Sequence, residues 1–467
     1  MLFRGAFAAT TALLFSTTTT TTNISLTMAL STAAKTSSDR RPTMRSIDST
    51  LSILSSPSSN ALSSVTIDER IKTMADRAKN GTPFTDEEIK DVVNGLKNLA
   101  PIVDDKDTNA VKGINFTDLE NLLSEVAHLS HKDWAVTSGN SDKLCQSLSI
   151  ESAEKSSDDY PLASSARQLL ERVIKEGNWD GAVDNASRTD RPSDHKSWAV
   201  LVTGVNGIRK TTSMYQPWFG DLLSEALVCP PESKSEISTD VLPTGSNSFF
   251  RQLDHMICTL CNEEFTRLYA WSTSQLPKGD EDPIPSDTVV DQYSNYKAAI
   301  FSRYRTLSEL LGALLLKQAQ KVNLNCMLET SGRDVAMFHY VDHFFGDNKK
   351  YNKLALHFTI NDLTCAKKSV DRRMIAEMQR GATALDAGDV FDIVYTNQGG
   401  PYGSKVLEGV QKDSDNVWES QVLSGSVGED WYKATIAIDA HDTEPWTAQA
   451  VKSDGSLGTK YTFEPRK

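Results

Sequence analysis

A buried apolar run followed directly by a glycine-rich turn is the feature that most restricts how this chain can fold. Residues 198–203 read Trp-Ala-Val-Leu-Val-Thr, a continuous apolar and β-branched run that is typical of a strand covered on both faces of a parallel sheet. Residues 204–212 follow as Gly-Val-Asn-Gly-Ile-Arg-Lys-Thr-Thr. Glycines here allow a tight turn in which several backbone N–H groups converge on one anion. The sequence therefore predicts a phosphate-binding loop at the end of a central strand.

The spacing within this loop matches that of a nucleoside-triphosphate loop. Gly204 and Lys210 are six positions apart, the Walker A spacing, and Thr211 follows the lysine. In that pattern the lysine bridges the β- and γ-phosphates and the threonine hydroxyl holds Mg²⁺. The alternative is an ordinary glycine turn with an unrelated lysine. The predicted nucleotide-binding residues are Gly204, Val205, Asn206, Gly207, Ile208, Arg209, Lys210, Thr211 and Thr212.

Arg209 departs from the pattern, because it stands where a glycine normally precedes the lysine. An arginine at this position has three alternative consequences. The first is that its side chain crowds the loop, the second that it weakens nucleotide binding, and the third that it adds positive charge beside the phosphates. The sequence does not choose among them.

A second apolar run supplies an acidic residue for the same edge of the sheet. Residues 324–328 are predicted as a strand, and Glu329 follows at the start of a Thr-Ser-Gly turn. A phosphate-loop enzyme needs an acid near the end of a neighbouring strand to hold Mg²⁺, so Thr211 and Glu329 are the predicted metal ligands. Arg333 is expected at the mouth of the same crevice, where open α/β sheets bind ligands. The alternative for Glu329 is a strand-end turn with a surface salt bridge.

A predicted helix over residues 362–380 adds two cations. Arg372 and Arg373 lie away from its apolar stripe, and an arginine at the lid of a phosphate site neutralises charge on the γ-phosphate. A solvated basic face is the alternative for either residue.

A candidate base precedes the second strand. Asn247 or Ser248 is predicted to cap a helix that carries Asp254, and a carboxylate there can orient an acceptor hydroxyl. A lone surface acid is the alternative. The predicted catalytic set is Lys210, Asp254, Arg333, Arg372 and Arg373.

The order of the remaining elements predicts an α/β fold. Strands at 324–328, 354–360 and 390–395 alternate with helices, one of them long, over 296–320. Such alternation predicts a right-handed parallel sheet. Short strands near the C-terminus are predicted to form an antiparallel addition, at 432–438, 446–451 and 461–463. The expected fold class is a P-loop NTPase-type parallel sheet sandwiched by helices, with an N-terminal helical domain and a C-terminal antiparallel β extension.

The N-terminal part differs from the rest in composition. No acidic residue precedes Asp39, and an apolar run at 6–15 is followed by Ser/Thr-rich sequence. This pattern predicts a transit peptide for an organelle, plastid or mitochondrion, with a secretory signal or an inert tail on a cytoplasmic protein as alternatives. A Ser-rich stretch then reads as a linker. The predicted boundaries are 1–40 targeting leader, 41–66 disordered linker, 67–190 helical domain, 191–400 phosphate-loop domain and 401–467 β-rich C-terminal extension.

Composition excludes several classes of protein. The 467 residues carry a formal net charge of −13, which argues against a protein that coats nucleic acid. No apolar run reaches the about 18 residues that a transmembrane helix needs. Six cysteines over this length form no disulfide framework and indicate a reducing compartment. The expected partners are a nucleotide and a small-molecule acceptor, with no nucleic acid and no integral membrane segment; a protein partner of the helical domain is not identified.

Three segments together resemble the P-loop kinases, and within them the zeta-toxin-like phosphotransferases. They read VLVTGVNGIRKTT at 200–212, NCMLETSGRD at 325–334 and LALHFTINDLTCAKKSVDRR at 354–373, and the resemblance spans under half of the chain. It implies that ATP and Mg²⁺ serve to phosphorylate a small hydroxyl compound; bacterial zeta toxins act on UDP-linked amino sugars.

The resemblance also carries over residue by residue. Lys210 and Thr211 match the family's phosphate loop, and Glu329 stands where an aspartate is more usual. Arg372 or Arg373 matches a lid arginine. The predicted function is therefore an ATP-binding phosphotransferase. Two alternatives stay open: a P-loop pseudo-kinase that acts as a nucleotide-binding scaffold, and an NTPase without a specific acceptor.

Overall fold

The structure, a computed structural model, describes residues 66–100, 113–151, 162–188, 196–230, 241–277 and 284–465. The predicted leader lies outside these residues, as does the predicted linker except for its last residue. That residue, Thr66, caps the first helix by accepting a hydrogen bond from the Glu69 backbone N–H at 3.3 Å. The first described helix therefore begins directly after the Ser-rich sequence.

Seven strands in the described residues form one sheet around the predicted central strand. In chain order they are β1 Ser197–Thr203, β2 Ser248–Arg251, β3 Asn325–Glu329, β4 Tyr351–Ile360, β5 Tyr432–Asp439, β6 Thr447–Val451 and β7 Tyr461–Thr462. The spatial order is β2-β3-β1-β4-β5-β6-β7. The first five run parallel, and β6 and β7 are antiparallel. The predicted mixed α/β architecture is confirmed at this level.

The register between β1 and β3 decides what meets at the carboxyl edge of the sheet. Every residue of β1 is buried, as expected for a strand covered on both faces. Val202 lies opposite Glu329, so β3 ends level with the start of the glycine-rich turn. The two predicted halves of the phosphate site are therefore neighbours.

In the described residues, seven helices precede the sheet. They are α1 Ile67–Asn80, α2 Asp86–Leu99, α3 Phe116–Val126, α4 Trp134–Ser147, α5 Ser164–Leu169, α6 Glu171–Glu176 and α7 Trp179–Ala186. Their apolar faces belong to the same hydrophobic cluster as one face of the sheet, with Leu96 and Trp179 packed into a core that also holds Ala199 and Phe249. Helices and sheet thus share one core across the boundary predicted at residue 190.

The remaining helices cover the two faces of the sheet. They are α8 Lys210–Met214, α9 Phe219–Ala226, α10 Leu253–Leu260, α11 Asn262–Gln275, α12 Asp287–Arg303, α13 Arg305–Lys321, α14 Ala336–Phe344, α15 Leu363–Ala387, α16 Val390–Thr396 and α17 Leu407–Val417. A π-helical turn, Trp418–Val422, follows the last of these. All six cysteines are free thiols. In the part of the chain that the structure describes, no helix is both long and apolar enough to cross a bilayer.

Two segments differ from their predicted secondary structure: one predicted strand is a helix, and one predicted helix begins with a strand. Residues 390–395 were expected to be a strand but form α16, which begins where the Asp389 side chain accepts a hydrogen bond from the Phe391 backbone N–H at 2.9 Å. A short apolar run has no periodicity that separates strand from helix. Conversely, residues 248–251 form edge strand β2 instead of a capped helix, and Asp254 lies in the first turn of α10, which begins only after that strand.

Three further boundaries differ from the prediction. The helix expected over 296–320 is two helices that meet at Tyr304. Gly381 does not end α15, because the helix continues to Gly388, whose left-handed φ of 70° ends it. The C-terminal region also begins with helix α17, and its first strand, β5, pairs in parallel with β4. Only β6 and β7 form the antiparallel addition, because the chain between β4 and β5 crosses over through helices.

Candidate functional site

A cavity of about 1370 Å³ opens at the carboxyl ends of β1 and β3. The phosphate loop and the turn after β3 line it, together with the first turn of α10 and the Gly399–Gly400 turn. This is the edge at which open parallel sheets bind ligands. The cavity exceeds the range of about 300–1,000 Å³ usual for small-ligand pockets, so it has room for more than one reactant.

Lys210 lies at the centre of the loop with its ammonium group fully engaged. The side chain is 3% exposed, and its Nζ donates to the carbonyl oxygens of Gly204 at 2.8 Å and Val205 at 2.9 Å. The third partner is the Glu329 carboxylate, at 3.1 Å from Nζ. An ammonium has three N–H donors, so a bound phosphate would have to replace at least one of these contacts.

The Glu329 carboxylate contacts both Lys210 and Thr211, the other predicted metal ligand. One carboxylate oxygen contacts Lys210, and the other accepts a hydrogen bond from Thr211 Oγ1 at 3.0 Å. The Glu329 side chain is 30% exposed, which leaves it open to the cavity. A hydroxyl and a carboxylate are oxygen ligands of the kind that Mg²⁺ prefers, and Mg²⁺ usually completes its shell with waters and substrate phosphates.

Across the described ranges, no group of three or more His, Cys, Asp or Glu side chains is placed to hold a metal ion. The Thr211–Glu329 pair suits a metal that is held largely by a nucleotide.

Arg209 has a left-handed backbone, with φ 62° and ψ 26°, a conformation that favours glycine. Its side chain is exposed and does not fill the loop. The guanidinium carbon lies 4.4 Å from the centroid of the Trp446 ring and 5.2 Å from that of Phe463. Of the three consequences left open by the sequence, the geometry favours added positive charge at the rim of the loop.

Three predicted residues converge on the Gly399–Gly400 turn. A Cβ built on Gly399 would lie 3.0 Å from Arg373 Nη1, and one on Gly400 would lie 3.2 Å from Asn206 Nδ2. Both positions are 3.5 Å from Asp254 Oδ2. Arg373 also donates to the Gly400 carbonyl at 3.3 Å. The phosphate loop, the candidate base and one lid arginine therefore meet around two glycines that sequence reasoning did not identify as functional.

A buried ion pair is hydrogen-bonded to the segment that leads into the Gly399–Gly400 turn. Lys297 Nζ contacts both oxygens of Glu377 at 2.8 Å, and both side chains have no exposed area. Glu377 also accepts from the Gln398 backbone N–H at 2.7 Å, and Asn397 Oδ1 accepts from the Gly399 N–H at 2.8 Å. The Asn397 amide in turn donates to the Asp254 backbone carbonyl at 3.1 Å. The network thus holds the glycine turn and Asp254 in one arrangement.

The environment of Asp254 changes its acidity. Burial raises the pKa of this carboxyl above its ordinary value, and the Glu329 carboxylate raises it further. Lys297 and Arg373 oppose that shift because their positive charges favour the ionised form. A carboxylate with a raised pKa is a stronger base than an exposed aspartate.

The other predicted arginines are placed differently. Arg333 is exposed at the cavity rim and donates to the Tyr402 hydroxyl at 2.8 Å, with its guanidinium over the ring of that tyrosine. Arg372 is exposed on α15 and does not line the cavity. The structure therefore brings Lys210, Asp254 and Arg373 together, leaves Arg333 at the mouth and separates Arg372 from the site.

Part of the cavity wall comes from the N-terminal helices, which carried no functional signal in the sequence. Nine Lys or Arg and five Asp or Glu side chains line the cavity, whereas the whole chain is strongly negative. Arg172 and Lys175 on α6 and Lys132 before α4 contribute to that excess of positive charge. The sequence predicted a helical domain here but could not show which distant surface its basic side chains face.

Comparison with known proteins assigns no family to the chain. No family model matches it, and no curated protein matches it. Among solved structures, a chain of the PezAT chromosomal toxin–antitoxin system of Streptococcus pneumoniae is similar with 11% sequence identity and a TM-score of 0.29, over 62% of this chain and 81% of that chain. A likeness of that size carries no argument about function.

Proposed function

We propose that this chain is an ATP- and Mg²⁺-dependent phosphotransferase that acts on a small hydroxyl-bearing acceptor. The observation that carries the proposal is the Lys210–Glu329–Thr211 contact at the ends of adjacent parallel strands. It joins a phosphate-loop lysine and threonine to an acid on the neighbouring strand, which is the combination that phosphoryl transfer from ATP requires.

Each residue around the cavity has a defined role in this proposal. Lys210 neutralises phosphate charge, and Thr211 and Glu329 hold the metal, which when bound supplies further neutralisation of the phosphate oxygens. Asp254 accepts the proton of the acceptor hydroxyl, whose oxygen forms a bond to the γ-phosphorus while the bond to the β-phosphate oxygen breaks and ADP leaves. Arg373 stabilises the charge that develops on the transferred group.

A nucleotide-binding scaffold without transfer activity is the second candidate. One observation favours it: Lys210, whose ammonium group must reach the γ-phosphate for transfer, is held instead by two loop carbonyl oxygens and Glu329. The two candidates share nucleotide binding and differ in whether Asp254 and Arg373 act on an acceptor.

Ligand-dependent thermal stability tests the shared part. Nucleotide at about 100 times its Kd adds roughly 2.7 kcal/mol to the free energy of unfolding. ATP with Mg²⁺ is expected to stabilise the wild type and to have no effect on Lys210→Ala. If millimolar nucleotide leaves the wild type unchanged, the proposal fails.

ADP formation with a set of small hydroxyl compounds separates the two candidates. The phosphotransferase is expected to form ADP only with an acceptor, and Asp254→Asn is expected to lose that activity while retaining the thermal shift with ATP. ATP binding without ADP formation in the presence of any acceptor would support the scaffold candidate. ADP formation at the same rate without acceptor would indicate an NTPase.

A further inference from the structure

The phosphate loop contacts two chemically different surroundings. At Asn206 it meets the Gly399–Gly400 turn, against which the side chains of Arg373 and Asp254 lie; these are the groups suited to the transferring end of a nucleotide. At Arg209 it meets the C-terminal segment, where the nearest side chains are Trp446 and Phe463. If the γ-phosphate of a nucleotide lies near Asn206, its nucleoside can extend towards Arg209.

At the C-terminal segment, the planar guanidinium of Arg209 offers a charged surface. Its guanidinium covers Trp446 and Phe463, which are each 8% exposed, while Arg209 itself remains exposed and lines the cavity. Within the described residues, the guanidinium has no hydrogen bond or ion pair, so no polar partner competes with a ligand for it. Partial burial also lowers its pKa, with no acidic neighbour to oppose that effect.

The aromatic support under Arg209 is itself held in place. Trp218 stacks on Tyr461 with ring centroids 5.4 Å apart and donates from its indole N–H to the Thr462 carbonyl at 3.0 Å. The Gln216 side chain exchanges hydrogen bonds with the backbone of Glu464 at 3.3 and 2.9 Å. The C-terminal segment is therefore fastened to the chain just beyond the phosphate loop.

We infer that Arg209, supported by Trp446, is the platform on which the base of a purine nucleotide stacks. The inference rests on the proposed function and specifies the nucleotide's place in the same cavity. Bases stack readily on arginine planes as well as on aromatic rings, and base stacking tolerates different bases because each has a π face. The arginine that departs from the loop pattern thus gains a role that glycine at that position cannot have.

Binding of ATP, UTP and inorganic tripolyphosphate, each with Mg²⁺, tests the inference in the full chain. The wild type is expected to bind ATP roughly tenfold more tightly than tripolyphosphate, with UTP between them because its single ring offers less stacking area. Arg209→Gly relieves the left-handed backbone and is expected to remove this difference. Arg209→Lys retains the charge but not the plane, and is also expected to remove it.

The possible outcomes separate the platform from its alternatives. If Arg209→Gly weakens all three ligands equally, the guanidinium contacts phosphate and the inference is wrong. If Arg209→Lys retains the preference for ATP, charge and not stacking is responsible, which also overturns it. A wild type that binds ATP and tripolyphosphate equally overturns the platform while leaving the phosphate loop intact, whereas binding of neither overturns the proposed function as well. Arg380→Ala, which removes an exposed arginine outside the cavity, is the charge-matched control.

Discussion

Glu329, the last residue of β3, lies 3.1 Å from the ammonium group of Lys210, the first residue of α8. The two residues are far apart in the chain and meet because β1 and β3 are adjacent parallel strands. The same carboxylate accepts a hydrogen bond from Thr211. The contact thus joins the lysine proposed to bind phosphate and the threonine proposed to bind the metal through one acidic side chain.

Glu329→Gln is expected to weaken binding of ATP with Mg²⁺ by about 10- to 100-fold, the range typical when a group that supports a metal is lost. Metal-free ATP is expected to bind the variant as well as the wild type or better, because the neutral amide no longer opposes phosphate charge. Calorimetric titration with Mg²⁺ and with a chelator measures both. Glu125→Gln, an exposed acid on α3, is the control; equal losses with and without metal would argue against a metal role.

The pH dependence of ADP formation is expected to report Asp254. The base must be ionised, and its pKa is raised by burial, so activity should rise with pH through a midpoint above the ordinary aspartate value of about 3.9. Asp254→Asn is expected to abolish most of the activity and, with it, the rise of activity with pH. A wild-type profile that stays flat from about pH 4 to pH 7 would contradict a role for Asp254 as the base.

Lys297→Met is expected to destabilise the protein by about 3–5 kcal/mol, because it leaves the Glu377 charge buried without its partner. Lys297→Met with Glu377→Met is expected to recover much of that loss, since no charge then remains buried. Urea unfolding measures the free energies. The control is Lys321→Met, which breaks an exposed pair with Glu151 and should cost no more than about 1 kcal/mol.

Gly399→Ala is expected to lower the rate of ADP formation more than it lowers ATP binding. Its φ of 130° is strained for any residue with a Cβ, and the added carbon would lie 3.0 Å from Arg373 Nη1. Gly388→Ala is the matched control, because it also has a positive φ but has no atom within 4 Å of the new carbon. If both variants turn over ATP at the same rate, backbone strain alone explains the effect.

Acidification is expected to destabilise the fold through His255. Burial and the nearby charges of Arg172 and Lys297 place its pKa well below the ordinary value, so the folded state resists protonation that the unfolded state accepts. The free energy of unfolding should therefore fall as the pH drops below about 6.5. Unfolding at about pH 7.5 and about pH 5.5 checks this. His255→Gln should show a smaller decrease, whereas His339→Gln, on an exposed position, should retain it.

The strand and loop of the candidate phosphate site were predictable from local sequence because they are local patterns. The continuous apolar run specifies a buried strand, and the glycine and lysine spacing specifies the loop that follows it. Asp362 was recognised as the start of α15, and its side chain does accept a hydrogen bond from the Thr364 backbone N–H at 2.8 Å. Such features need only neighbours in the chain, so periodicity and capping rules describe them.

What the sequence by itself determined, then, is a central parallel strand, the glycine-rich loop that follows it and an acid at the end of another strand. The tertiary structure alone decided that Gly399 and Gly400 lie against Asp254 and Arg373, that Arg372 faces away from them, and that the N-terminal helices form part of the cavity wall. It also decided that the Arg209 guanidinium lies over the Trp446 ring. These contacts join residues distant in the chain, and the packing of helices on the sheet brings them together by burying apolar faces whose pattern does not name their partner.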